Sequence, residues 1–134
     1  MSTQLGDIAE ISFMLRAMKA GFNVCSPYSK DSAYDCILDY KGKLNRIQIK
    51  ATGVLNKGRS KGASEYYRLV CSHGSTGKKL YTKNECDYFA LYVMPLDQFF
   101  IVPVTDIKTK TFKIYPNNFQ HKHYKYLERF DLLK

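Results

Sequence analysis

Apolar and polar positions along the chain change period several times, and each change marks an element. Residues 5–20, LGDIAEISFMLRAMKA, carry apolar side chains at helical spacing, with Gly21 placed to close the last turn. Ile8, Ile11, Leu15 and Met18 form one stripe, widened by Phe13, Met14 and Ala17, and this surface is expected to face a core. Glu10 stands at its margin, where an acid either turns to water or aims into a site. The period then drops to two. Residues 22–28 suggest a short strand, and 32–40 with 43–51 suggest a hairpin around Lys41-Gly42. Residues 52–65 are rich in glycine and cations and read as a loop. Residues 66–72 form a further strand candidate, and 73–85 a polar loop. DYFALYVM (87–94) and QFFIVPV (98–104) are apolar enough for buried strands, joined by a turn at Pro95-Leu96-Asp97. Phe99, Phe100, Ile101, Val102 and Val104 are read as core or as a subunit contact. KTFKIYP suggests an edge strand, and residues 117–134 a closing helix capped by Asn117 or Asn118. The pattern fits one α/β or α+β domain spanning 1–134.

The hairpin register makes chemistry legible. With Lys41-Gly42 as a two-residue turn, Asp35 faces Gln48 across the ladder. Alternation puts Asp35, Ile37, Asp39, Leu44, Arg46, Gln48 and Lys50 on one face, and Cys36, Leu38, Ile47, Ile49 and Ala51 on the other. A slip of one residue would oppose Asp35 to an isoleucine, so the apolar pattern supports the register independently of the turn. A carboxylate and an amide carbonyl are oxygen ligands suited to a hard cation such as Mg²⁺. Glu10 can add a second carboxylate, and Lys50 can position a water or stabilise charge on a phosphate. An ordinary polar sheet face remains the alternative.

Charge sharpens the picture by where it lies. The chain's net charge is +9, and residues 41–83 hold eleven basic side chains against one acidic. Such clustering is the footprint of a polyanion-binding surface. Arg46, Lys57, Arg59, Lys61, Lys78 and Lys79 are the candidate DNA contacts. Tyr66 and Tyr67 are read as packing within a strand rather than as base contacts. The four cysteines form no CxxC pair and are expected to be free thiols. Cys71-x-His73 and His121-x-His123 match no standard zinc spacing. No apolar run reaches the roughly 18 residues of a membrane span, and MSTQLGDIAE lacks the basic and then apolar pattern of a signal peptide, so none is expected. An intracellular, DNA-associated location is expected.

GDIAE, YD and QIK, followed by a basic loop and then CDYFALYVMP and FFIVPV, resemble the PD-(D/E)XK nuclease superfamily over most of residues 5–104. The resemblance is strongest to the small branch of cyanobacterial intron-encoded homing endonucleases, and next to archaeal Holliday-junction resolvases. It implies an αβββαβ core with a mixed central sheet, and Mg²⁺-dependent cleavage of double-stranded DNA. It also implies catalytic roles for Glu10, Asp35, Gln48 and Lys50, with Asp35, Glu10 and Gln48 on the metal. Cutting both strands implies a homodimer or homotetramer. Tyr34 stands where the family has proline, and Gln48 where it has an acid, a substitution the homing branch accepts. An inactive DNA-binding relative or a junction resolvase are the competing readings.

Overall fold

The computed structural model describes residues 3–60, 64–74 and 79–134. Helix α1 (Thr3–Lys19) opens the chain and ends at Gly21, whose φ of 95° is left-handed. Strands β1 (Asn23–Cys25), β2 (Cys36–Tyr40), β3 (Lys43–Thr52), β8 (Tyr88–Val93) and β9 (Gln98–Pro103) form one sheet in the order β1-β2-β3-β8-β9. Only β3 and β8 run parallel, so the sheet is mixed. Between them the chain carries β4 (Leu55–Asn56), β5 (Tyr66–Val70), β6 (Ser72–His73) and β7 (Lys79–Leu80). Thus α1 is the one α-helix among the described residues, and the described part of the crossover is built from strands and turns. Strand β10 (Thr111–Ile114) joins β5 and β4 in a second sheet, ordered β10-β5-β4.

The β2–β3 hairpin adopts the register its sequence demands. Cys36 pairs with Ile47 and Tyr40 with Lys43, and Lys41 and Gly42 both take positive φ, 53° and 91°. That is the conformation a two-residue turn needs to match strand twist.

Two elements depart from expectation. The stripe Ile8, Ile11, Leu15 and Met18 does not face the core: these side chains are 39%, 68%, 48% and 55% exposed. Ala9, Phe13 and Ala17 are buried instead. α1 is apolar on both faces, so its period alone does not choose between them. The small alanines let the helix approach the sheet closely around Phe13.

The C-terminal segment is not an α-helix. It forms short 3₁₀ turns at Lys122–Tyr126 and Phe130–Leu133, interrupted by Glu128 in the left-handed region (φ 51°). The reason is tertiary. β9 is an edge strand, and an uncovered edge invites pairing. Leu127 bridges to Phe100, the Glu128 N–H donates to the Phe99 carbonyl at 2.7 Å, and the Phe99 N–H donates to Glu128 Oε2 at 2.5 Å. Arg16 on α1 clamps the same carboxylate with 2.7 Å bonds. The segment thus spends its backbone on capping the sheet. Phe99, Phe100, Ile101 and Val102 are consequently fully buried, which makes them core.

Two apolar clusters flank the five-stranded sheet. One joins α1 to Cys36, Leu38, Ile47 and Ile49; the other packs Phe89, Leu91, Phe100 and Val102 against Leu69, Cys71, Phe112 and Ile114. The face of β3 bearing Gln48 and Lys50 therefore looks toward the second cluster. No described helix is long and apolar enough to cross a membrane.

Candidate active site

Asp35 precedes β2 and is held by β3 from both sides. Its N–H donates to the Ile47 carbonyl at 2.8 Å, and its Oδ2 accepts the Ile49 N–H at 2.7 Å. These bonds continue the ladder and fix the carboxylate opposite Gln48. Burial raises the Asp35 pKa above the ordinary carboxylate value, partly offset by the Ile49 hydrogen bond and the Lys50 charge. Glu10 reaches the same spot from α1. Its pKa is raised first by burial, then by the charges of Asp35 and Asp7. The buried Cys36 thiol senses both acids: burial pushes it up to about 12, with Asp35 and Glu10 adding to the shift.

Lys50 completes the group. Its ammonium lies 5.5 Å from the centroid of Tyr81, a contact the sequence reading misses. Tyr81 is braced in turn by His73 (4.4 Å between centroids) and by Phe89 edge-on (5.2 Å). The ring lies in the stretch read as a polar loop. An aromatic flanked by a lysine pair and a threonine was its only sequence signal. Gln48 is half-buried on the Lys50 face of β3.

The structure thus brings Glu10, Asp35 and Lys50 into each other's field. Two carboxyls whose charged forms are disfavoured by burial are a donor set that a divalent cation suits, because the cation's charge favours the ionised form. Among the described residues no three His, Cys, Asp or Glu side chains gather, so a third protein oxygen would come from the Gln48 amide.

The candidate DNA contacts are dispersed. Lys57 and Arg59 are exposed in the loop between β4 and β5, and Lys79 is exposed on β7. Lys61 and Lys78 fall outside the described residues. Arg46 is committed internally. It bonds both Asp87 oxygens at 3.1–3.2 Å and the Asn84 carbonyl at 2.9 Å, and it also reaches the Lys83 carbonyl. Burial alone would raise the Asp87 pKa, but these bonds hold it below its ordinary value. Arg46 therefore pins the approach to β8 rather than facing solvent with free donors.

A family profile described as PD-(D/E)XK endonuclease matches residues 1–133. The chain belongs to the PD-(D/E)XK endonuclease family. In this member of the family Asp35 stands just before β2, and Gln48 and Lys50 share one face of β3. The solved structure of a bacterial homing endonuclease, I-Ssp6803I, superposes with a TM-score of 0.79 at 24% identity. The match covers 98% of this chain and 93% of that one, and establishes the shared fold. Comparison with curated proteins finds no match.

The paired acids have a thermodynamic signature. Between the ordinary and the raised pKa values the folded chain binds more protons than the unfolded one, so stability falls as pH rises through that window. Glu10→Gln is expected to raise the melting temperature of the metal-free protein at pH 7. The advantage should vanish toward about pH 3, below the ordinary carboxylate values, where both carboxyls are largely protonated in either state. A difference independent of pH, measured by calorimetry across this range, would show that the acids do not repel.

Proposed function

We propose that this protein is a Mg²⁺-dependent, sequence-specific endonuclease of homing type that hydrolyses phosphodiester bonds in double-stranded DNA. The observation that carries the reading is the convergence of Glu10 and Asp35, both with raised pKa values, beside Lys50. Asp35, Glu10 and the Gln48 amide would hold the cation, which supplies Lewis-acid charge stabilisation and a more acidic water when bound. Lys50 stabilises the negative charge that develops on the phosphate. Tyr81 keeps the Lys50 ammonium aligned without neutralising it. Lys57, Arg59, Lys61, Lys78 and Lys79 supply phosphate contacts, making binding strongly salt-dependent. The homing activity named for the structural neighbour supports the same substrate. We take residues 1–134 as one nuclease domain working inside the cell. A duplex presents two strands, so a homodimer or homotetramer supplies the two sites.

Incubation with plasmid DNA and with a synthetic four-way junction tests the proposal. Mg²⁺-dependent cutting of duplex at a restricted set of sites, abolished by chelation, is expected. Cutting of the junction irrespective of sequence would replace the homing reading by a resolvase. DNA binding without cutting of either substrate would make the protein a non-catalytic relative.

A further inference from the structure

β5 and β10 form an antiparallel ribbon that buries Tyr67, Leu69, Phe112 and Ile114 on its inner face. Alternation turns Tyr66, Arg68 and Val70 outward on β5, and Thr111 and Lys113 outward on β10. Arg68 stands directly across the ladder from Lys113. Like charges so opposed destabilise a sheet, and no carboxylate relieves these: among the described residues neither side chain forms an ion pair. The Lys113 ammonium leans instead over the Tyr66 ring, 4.5 Å from its centroid. An unrelieved pair of cations on a solvated sheet face is best explained by an anionic partner.

The position of the ribbon says which one. Asn56, Arg68 and Val70 line an open cavity of about 820 Å³ together with Lys50, Thr52 and Gly53. The outward face of the ribbon therefore borders a cavity that reaches the candidate active site at Lys50. The loop bearing Lys57 and Arg59 leaves from the β4 edge of the same sheet. Two strands about 4.8 Å apart fit a major groove about 12 Å wide, and such ribbons are known to enter it.

We propose that the β5–β10 ribbon lies in the major groove of duplex DNA beside the scissile phosphate and reads base edges, with Arg68 as a specificity-determining residue. Its guanidinium, without a hydrogen-bond or ion-pair partner among the described residues, donates a two-toothed bond to the O6 and N7 of a guanine, while Asn56 and Lys113 lie on the same face beside it. The inference rests on the DNA-binding half of the function proposed above and not on its catalytic half.

The test uses the full chain in chelating buffer and a pool of duplexes with a randomised core, selected by binding and then sequenced. Wild type is expected to enrich a motif containing guanine at one or two positions. Arg68→Ala should lose that guanine preference by about ten- to a hundred-fold. Arg68→Lys, which keeps the charge but not the fork, should lose it too while preserving the salt dependence of binding. Lys57→Ala should weaken all sequences alike. A wild-type chain that enriches no motif overturns the proposal. So does an Arg68→Ala chain that keeps the wild-type motif or weakens every sequence equally. Enrichment of a motif lost in both Arg68 variants, by a chain that cuts nothing, would uphold this inference and defeat the nuclease reading.

Discussion

Asp35→Asn will bind duplex DNA nearly as well as wild type and cleave it at least about 10²-fold more slowly in Mg²⁺, and Lys50→Ala will do the same. The magnitude follows from the cost of removing one charge-stabilising group from a reacting centre, about 10²–10³ in rate. Asparagine is the informative replacement at Asp35. The carboxylate accepts the Ile49 N–H at 2.7 Å, and alanine would leave that buried donor unpaired at a cost of about 1–3 kcal/mol. Asparagine keeps an acceptor and removes only the charge, so lost activity is not lost folding. In the proposed site the charge would also govern the metal. Mg²⁺ should raise the melting temperature of wild type, since a ligand that binds only the native state stabilises it. It should do so much less for Asp35→Asn. Single-turnover cleavage, binding by fluorescence anisotropy and thermal scans with and without Mg²⁺ separate these effects. Full cleavage by either variant would remove the site assignment.

Gln48 makes this pair of variants more telling. An amide brings a dipole where the family pattern brings a full charge, so a cation bound as proposed would rest on Asp35 and Glu10 more heavily. Burial raises the pKa of both carboxyls, and the Asp35 charge raises that of Glu10 further. A third carboxylate on the half-buried Gln48 face would add repulsion in the free protein while tightening the metal. In the proposed site the glutamine would be a compromise between apo stability and cation affinity, and is not evidence by itself that catalysis has been lost.

What could be read from the sequence follows the range of the interactions involved. The hairpin was legible because two local signals agreed: a turn able to take positive φ at Lys41 and Gly42, and an apolar set that tolerates one register. The opposition of Asp35 and Gln48 followed from that register alone. Glu10 needed more, since only packing decides which side of α1 meets the sheet, and there the apolar period misled. The helix offers Ile8, Ile11, Leu15 and Met18 on one side and Ala9, Phe13 and Ala17 on the other, and the smaller set is buried. The C-terminal segment failed as a helix because β9 needs an edge cover, a demand written 29 residues away in the bond from Phe99 to Glu128. Arg46 looked like a DNA contact because its partner Asp87 is 41 residues distant. Tyr81 beneath Lys50 is of the same kind, a contact that no local pattern encodes.

Phe13→Ala should cost about 3–5 kcal/mol, the range for emptying a buried phenylalanine site, against a total stability of about 5–15 kcal/mol. Phe13 is completely buried. It meets Phe99 edge-on at 5.5 Å and stacks on Phe130 at 5.6 Å, so it joins α1 to β9 and to the C-terminal cover at one point. The flanking Ala9 and Ala17 are too small to move into the void. Ile11→Ala, by contrast, should change stability by no more than about 0.5 kcal/mol, because Ile11 is 68% exposed. Urea unfolding of the two variants at low protein concentration tests which side of α1 is structural. Equal losses would return the core to the Ile8–Met18 stripe. The consequence reaches the site as well, since Glu10 lies one turn before Phe13 on the same helix. Loosening α1 leaves the hairpin and its Asp35 bonds in place but frees the second carboxylate. Phe13→Leu, a milder change expected to cost about 1.5 kcal/mol or less, should therefore weaken the Mg²⁺-induced rise in melting temperature more than it lowers DNA binding.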